Sequence, residues 1–251
     1  MVAAKWMPVL ICLSGLFAPV AILAAEPKAG QQVEAATTVK TTVDGKTEET
    51  ELRYWLYLPE SYKDQDKQAW PLVLFLHGAG ERGDDLAVVK KHGPPKLVDG
   101  KKHFPFILVS PQCPKEQRWN AAQLAKLVEH LTNTLQVDGQ RRYVTGLSMG
   151  GAGSWSLLAE HPGLFAAGVP ICGRGDVAAA EKLAKTPIWA FVGAKDRVEL
   201  VDGNKQLAAA IEKAGGKQIK LTIYPDAAHD SWTETYDNAE VYEWLLKQRG
   251  Q

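Results

Sequence analysis

The sequence predicts an α/β fold in which helices cover both faces of a mostly parallel central sheet. The first observation is a series of short apolar runs, which are typical of strands buried on both faces. These runs occupy residues 72–76, 106–109, 143–145, 168–171, 188–192 and 219–224. The second observation is that helix-like segments separate the runs, which predicts right-handed crossovers between parallel strands. The helix-like segments are residues 121–136, 151–160, 177–185, 203–214 and 238–248.

The N-terminal strands are expected to differ from the others. Residues 37–43 and 51–58 alternate polar and apolar side chains, and the turn signal Asp44-Gly45 lies between them. This pattern predicts two antiparallel strands at one edge of the sheet. No segment between the predicted strands is long enough to form a large helical lid.

The chain of 251 residues has no change of composition that would divide it, so residues 26–251 are predicted to form a single domain. Residues 1–25 are predicted to be a signal peptide, because Lys5 precedes an uncharged apolar stretch that ends in two alanines. A retained anchor is the alternative, since the stretch approaches the roughly 20 residues that span a bilayer. Prolines interrupt the stretch and no basic cluster follows it, which favours cleavage. The expected location is therefore secreted or periplasmic, with no stable membrane insertion after cleavage.

Charge and cysteine usage exclude some classes of partner. The 29 basic side chains balance 29 acidic ones, so the composition indicates no nucleic-acid partner. Cys113 and Cys172 remain after cleavage, either as a disulfide or as two separately buried thiols. Their spacing does not match a zinc site, and neither a metal nor an organic cofactor is expected. The sequence indicates no particular oligomeric state.

The most informative motif is Gly146-Leu147-Ser148-Met149-Gly150, which lies between a predicted strand and a predicted helix. A Gly-x-Ser-x-Gly in this setting is the nucleophile-elbow pattern, in which a tight turn exposes the serine hydroxyl. Glycines two positions to either side remove the Cβ atoms that would collide. The alternative is a glycine-rich turn in which Ser148 caps the helix that follows.

Two further residues complete a candidate site at the carboxyl ends of the strands. Asp196 follows the run 188–192 and could orient a histidine, although a turn or helix-cap role is the alternative. Asp202 and Asp226 are rival carboxylates. His229 is the histidine that lies between the final strand and the final helix. The order Ser148, Asp196, His229 predicts acyl transfer from an activated serine.

A tetrahedral oxyanion requires hydrogen-bond donors. One is expected to be the backbone N–H of Met149, directly after the nucleophile. The other is expected from the glycine-rich loop 77–83, with Ala79 as the first choice and Gly80 as the second. A flexible glycine turn with no such role is the alternative.

The sequence resembles the secreted α/β-hydrolase carboxylesterases over roughly residues 52–248. The resemblance rests on Leu76-His77-Gly78-Ala79-Gly80, the Ser148 motif, Gly193-Ala194-Lys195-Asp196 and His229-Asp230-Ser231-Trp232. That group of carboxylesterases is close to the phospholipase/carboxylesterase, polyhydroxybutyrate depolymerase and feruloyl esterase-like branch, and to the catalytic domain of prolyl oligopeptidases. The resemblance implies an α/β-hydrolase fold, the triad Ser148, Asp196 and His229, and oxyanion donors at Met149 and Ala79.

The expected substrates are small or moderately sized soluble esters, including acetyl and feruloyl esters of carbohydrates. Trp119 and Trp232 lie in predicted loops at the same edge of the sheet, where each could stack on a sugar or phenolic ring or pack its own loop. Gln112 follows a strand at that edge and could hydrogen-bond substrate. A serine peptidase of the prolyl oligopeptidase type and a non-catalytic, hydrolase-like binding protein are the competing interpretations.

Overall fold

The computed structural model describes residues 27–64 and 67–250, so the predicted signal peptide lies outside the described residues. The described part contains an eight-stranded sheet in the order β1-β2-β4-β3-β5-β6-β7-β8. The strands are β1 Gln32–Val43, β2 Lys46–Tyr57, β3 Trp70–Leu76, β4 Ile107–Pro111, β5 Val137–Leu147, β6 Ala167–Ile171, β7 Ile188–Gly193 and β8 Ile219–Tyr224.

The sheet is parallel from β4 to β8 and antiparallel at the edge formed by β1 and β2. The β1–β2 hairpin turns at Asp44 and Gly45, whose φ angles are 49° and 75°. Both residues lie in the left-handed region that a tight hairpin turn requires. The predicted fold class is therefore confirmed, and the parallel strands direct their carboxyl ends to one edge.

Helices cover both faces of the sheet. The side chains of a buried strand alternate between the two faces, so each face has an apolar surface that helices cover. In β3, Leu72, Leu74 and Leu76 face one apolar cluster, whereas Val73 and Phe75 face the other. The first cluster is closed by α2 Ala121–Thr134, α3 Met149–Glu160, α4 Ala180–Leu183 and α5 Val198–Lys213. The second cluster is closed by α1 Gly93–Asp99, α6 Trp232–Asp237 and α7 Ala239–Lys247. Among the described residues, no helix has the length and hydropathy that crossing a bilayer requires.

Helices α1, α6 and α5 depart from the prediction, and the predicted helix 177–185 forms a 3-10 turn followed by the short α4. The sequence suggested no helix at α1, yet Pro94 and Pro95 are tolerated in its first turn, where N–H groups have no intrahelical acceptor. The six-residue helix α6 has no apolar period, and packing buries its Thr235 and Tyr236. Helix α5 begins at Val198, five residues before the predicted start, because Leu200 and Val201 are buried against the core.

Candidate active site

Ser148 occupies a strained turn between β5 and α3. Its φ and ψ angles are 54° and −111°, a combination that costs of the order of 1–3 kcal/mol and requires support from its surroundings. The Ser148 N–H donates to the Ile171 carbonyl at 2.9 Å, which supplies part of that support. A Cβ atom on Gly146 would lie 2.7 Å from the Leu76 carbonyl oxygen, and one on Gly150 would overlap the same carbonyl. The alternative that Ser148 caps α3 is wrong, because its side chain makes no cap hydrogen bond within the described chain.

The structure brings the three sequence-predicted side chains into one hydrogen-bonded chain. Ser148 Oγ lies 2.9 Å from His229 Nε2, and His229 Nδ1 lies 2.8 Å from Asp196 Oδ2. The Asp196 side chain is only 1% exposed, whereas the His229 side chain is 38% exposed. With a proton on Nδ1 shared with the carboxylate, Nε2 is free to accept the proton of the serine hydroxyl.

The rival carboxylates do not contact His229. Asp202 pairs with Lys205 at 3.3 Å on α5, and Asp226 pairs with Lys195 at 2.9 Å. The Asp226 side chain is 93% exposed, so it lies at the surface rather than beneath the imidazole. Of the three carboxylates considered from the sequence, Asp196 is the one that reaches the ring.

Adjacent strands β7 and β8 hold the acid and histidine loops together. The Ala194 N–H donates to the Tyr224 carbonyl at 2.8 Å, and the Lys195 N–H donates to the Ala227 carbonyl at 2.9 Å. The carbonyls of Ala227 and Ala228 approach Gly193 so closely that a Cβ atom there would overlap them. The histidine loop therefore folds directly over the end of β7, which places His229 above Asp196.

The two predicted oxyanion donors stand at the starts of two helical turns. Ala79 opens a 3-10 helix, Ala79–Glu81, directly after β3, and Met149 opens α3. The first N–H groups of a helix have no acceptor within the helix and carry a partial positive charge. The loop after β3 contacts the elbow, since a Cβ atom on Gly78 would lie 2.8 Å from the Leu147 side chain. Ala79 and Met149 thus begin helical turns on two segments that meet at the elbow, and their role as oxyanion donors stays a prediction.

A network of buried polar groups anchors the loop after β3. Gln112 Nε2 donates to the carbonyls of Glu81 at 3.1 Å and Asp85 at 2.7 Å. His77 Nδ1 donates to the Gly78 carbonyl at 2.6 Å, and His77 Nε2 accepts from the Cys113 N–H at 3.0 Å. Burial lowers the pKa of His77 to about 4, so its ring is neutral at pH 7. Gln112 was expected to hydrogen-bond substrate, and in the structure its amide nitrogen donates two hydrogen bonds to this loop.

The two candidate tryptophans have different positions. Trp119 donates its indole N–H to the His77 carbonyl at 3.1 Å and stands edge-on to the His77 ring at 4.8 Å. Trp232 begins α6 and stands edge-on to the His229 ring, with 5.6 Å between centroids. Both residues pack loops of the site, and Trp119 also borders an open cleft.

That cleft, of about 930 Å³, runs over α3 and begins at Met149, directly after the nucleophile. Most residues of its wall were not predicted from the sequence. Helical spacing was the available signal, since Met149, Ala152, Gly153 and Ser156 follow the i, i+3, i+4, i+7 pattern of one helix face. The opposite wall comes from loops and α5, which only the folded chain places there.

The cysteines are two free, buried thiols, so the disulfide alternative is not realised in this structure. Burial raises the pKa of Cys113 to about 11 and that of Cys172 to about 12. Thiols with such values are almost entirely protonated at neutral pH and therefore poor nucleophiles. Among the described residues, no group of three or more His, Cys, Asp or Glu side chains is arranged to hold a metal ion.

The structure has a strained serine after β5, an acid after β7 and a histidine after β8, all on a mostly parallel sheet. This combination defines the α/β-hydrolase class. Within this class, the chain belongs to the dienelactone hydrolase family, whose sequence model matches residues 109–243. No curated protein matches the chain.

Solved structures share the fold of this chain. A thermostable esterase is 33% identical with a TM-score of 0.68, and the match covers 84% of this chain and 62% of that protein. A ferulic acid esterase is 19% identical with a TM-score of 0.58, covering 86% of this chain and 97% of that one. The dipeptidyl peptidase 4 of Porphyromonas gingivalis is 12% identical with a TM-score of 0.61, covering 86% of this chain and 36% of that one. The last two matches concern the fold alone, and the chain spans about 62% of the length of the thermostable esterase.

Proposed function

We propose that the protein is an exported serine hydrolase that cleaves carboxylic esters through an acyl-enzyme on Ser148. The observation that carries the proposal is the continuous chain from Ser148 Oγ through His229 to Asp196. A serine hydroxyl becomes an effective nucleophile when a neighbouring base removes its proton. His229 is that base, and the buried carboxylate of Asp196 stabilises the imidazolium that forms.

In the acylation step, Ser148 Oγ bonds to the ester carbonyl carbon while its proton passes to His229 Nε2. The carbonyl π electrons move onto oxygen and form a tetrahedral oxyanion. The oxyanion then restores the carbonyl, the bond from carbon to the alcohol oxygen breaks, and His229 Nε2 gives its proton to that oxygen. The free alcohol leaves an acyl ester on Ser148 and a neutral imidazole.

Deacylation repeats these steps with water as the nucleophile. The water oxygen bonds to the acyl carbon while one water proton passes to His229 Nε2. The bond from carbon to Ser148 Oγ then breaks, and His229 returns the proton to the serine. The carboxylic acid is released and the enzyme is restored.

The backbone N–H groups of Met149 and Ala79 stabilise the oxyanion in both steps. Both groups stand at helix starts, so they are fixed before the substrate arrives. Removing one such donor typically lowers turnover by about 10²–10³. The hydrogen bonds from Gln112 to the loop after β3 support this arrangement by holding the Ala79 side in place.

The proposed substrates are small or moderately sized soluble esters, including acetyl and feruloyl esters of carbohydrates. The cleft beside Met149 is large enough for a group of that size, and its lining combines indole rings with charged side chains. The likeness in fold to a ferulic acid esterase is in keeping with such a substrate. Export, to the periplasm or the medium, is proposed from residues 1–25 alone.

The test is hydrolysis of 4-nitrophenyl acetate and butyrate by the parent protein and by Ser148→Ala. We expect Ser148→Ala to lose at least about 10³-fold in kcat, because the nucleophile is absent. Ser61→Ala, at an exposed serine in a turn away from the site, is the matched control and should keep parental activity. Equal hydrolysis by Ser148→Ala and the parent would refute the proposal.

A serine peptidase remains the second candidate, because the same acyl transfer can cleave an amide and the fold is shared with a dipeptidyl peptidase. Glu199 and Asp202 border the cleft and could bind a peptide amine. Glu160 and Asp176 also line the cleft, as do Arg118, Arg174 and Lys182, so four acidic side chains stand beside three basic ones and the charge singles out no site for a peptide amine. Comparing turnover of 4-nitrophenyl acetate with that of alanyl-4-nitroanilide on one preparation separates the two.

A further inference from the structure

Two glycines let aromatic residues that line the cleft beside the nucleophile pack closely against neighbouring segments. A Cβ atom on Gly153 would lie 2.9 Å from Trp119, so the indole rests directly on α3. A Cβ atom on Gly175 would lie 2.9 Å from Trp155, so the loop after β6 rests on that buried ring. Neither approach is possible with a larger residue at the glycine. The cleft is therefore built by specific close contacts of the folded chain.

The position of the cleft relative to Ser148, His229 and Asp196 indicates which half of an ester enters it. Met149, whose N–H is a proposed oxyanion donor, lines the cleft, whereas none of the described residues of the histidine loop does. The alcohol oxygen must lie within reach of His229 Nε2, because that atom protonates it. The carbonyl oxygen points to the N–H groups, and the remaining substituent on the carbonyl carbon is the acyl group. The acyl group is thus the part directed away from His229 and into the cleft.

On this basis, which rests on the proposed esterase function, we propose that the cleft over α3 binds the acyl half of the ester. The chemistry of the lining favours an acyl group with an apolar planar body and a polar far end, as in hydroxycinnamoyl esters. Trp119 and Val177, which is 42% exposed, supply apolar surface to such a body. The exposed side chains of Arg174 and Gln206 supply hydrogen-bond donors. The alcohol half lies on the His229 side.

Two positions on opposite walls allow the cleft to be filled without disturbing the fold. Gly203 lies on α5 and lines the cleft, and a Cβ atom there meets no heavy atom within 4 Å. Ser156 is exposed on α3 and lines the facing wall. Gly203→Phe and Ser156→Trp therefore place an aromatic ring in the cleft from either side. Gly139→Phe is the matched control, because Gly139 is exposed on β5, outside the cleft lining, and has equal space for a side chain.

Three substrates separate the two halves of the ester. Methyl ferulate carries a large acyl group and a small alcohol, 2-naphthyl acetate carries the reverse, and 4-nitrophenyl acetate reports the acetyl reaction with a good leaving group. Rates are expressed per active site, counted by labelling with a fluorophosphonate probe. This normalisation removes any fraction of a variant that has failed to fold.

We expect Gly203→Phe and Ser156→Trp to lower kcat/KM for methyl ferulate by about tenfold or more, as lost pocket contacts usually do. Both acetates should change by less than about twofold, and Gly139→Phe should match the parent on every substrate. Loss on 2-naphthyl acetate with methyl ferulate spared would overturn the proposal by placing the alcohol in the cleft. An equal loss on all substrates, or no change on any, would also overturn the proposal. So would a parent that hydrolyses the acetates but not methyl ferulate. A parent that hydrolyses no ester would instead refute the esterase function itself.

Discussion

The ring of Trp232 stands edge-on to the imidazole of His229, with 5.6 Å between their centroids and 88° between their planes. The same indole contacts the His92 ring at 5.5 Å, and His92 Nε2 lies 3.8 Å from the buried carboxylate of Glu81. Glu81 belongs to the loop that carries the Ala79 donor. Trp232 thus connects the proposed base to the proposed oxyanion loop through side chains alone.

This contact predicts different results for two substitutions of Trp232. The indole N–H is buried and has no acceptor among the described residues, so Trp232→Phe loses no hydrogen bond. We expect that variant to keep kcat within about threefold, because a phenyl ring retains an aromatic edge. Trp232→Ala loses both ring contacts and should lower kcat by about tenfold. The measurement is kcat for 4-nitrophenyl acetate, and equal losses in the two variants would contradict the role of the ring.

Acid should destabilise the protein partly through His77. Burial holds the pKa of His77 at about 4, against an ordinary value of 6.5. Between these values the unfolded chain binds a proton at His77 and the folded chain does not. The contribution of His77 to the free energy of unfolding is therefore fully present above pH 6.5 and is lost as the pH falls towards 4. The loss due to this residue is of the order of 3 kcal/mol. Urea unfolding at pH 7.5 and 4.5 should show a smaller difference for His77→Gln than for the parent, and an identical difference would contradict the assignment.

The elbow should not tolerate a side chain at Gly150. A Cβ atom there would overlap the backbone carbonyls of Leu76 and His77, which cannot move without shifting the end of β3. We expect Gly150→Ala to lose ester hydrolysis and to lower the free energy of unfolding by at least about 2 kcal/mol. Gly139→Ala is the control, because a Cβ atom there meets nothing within 4 Å. Thermal unfolding and fluorophosphonate labelling measure the two effects, and normal labelling of Gly150→Ala would show that the elbow has room.

The cysteines should be inert while the protein is folded. Cys113 and Cys172 are free and buried, and burial raises the pKa of each thiol to about 11 and about 12 respectively. We expect neither to react with iodoacetamide at pH 8, and both to react once guanidinium unfolds the chain. Peptide mapping by mass spectrometry identifies the labelled positions. A pair that stays unlabelled after unfolding, until a reductant is added, would instead indicate a disulfide.

Several features of the site were predictable because each is local in sequence. The spacing of Gly146, Ser148 and Gly150 predicts the turn, since only small flanking residues allow it. Apolar runs and their separation predict the parallel strands, and parallel strands bring their carboxyl ends to one edge. His229 could be chosen because it follows the last of these strands. Asp196 could be preferred over Asp202 and Asp226 by its position directly after β7.

Other features depend on contacts between distant segments. Gln112 follows β4 at the edge where a substrate-binding side chain is expected. Its side-chain amide instead donates hydrogen bonds to the carbonyls of Glu81 and Asp85. The short helix α6 exists because Tyr236 packs against Phe75 at 5.9 Å, a contact that no local pattern signals. The cleft over α3 has walls from loops and helices that are separated by dozens of residues.

The sequence by itself determined the class of fold, the order of the strands and helices, and the serine, carboxylate and histidine that meet at one edge. It could do so because apolar periodicity and turn chemistry act over a few residues at a time. Only the tertiary structure decided the hydrogen bonds between those groups, the packing roles of Trp232 and Gln112, and the shape of the cleft. Those features are set by the close packing of side chains from remote parts of the chain, where a difference of one methyl group decides which contacts can form.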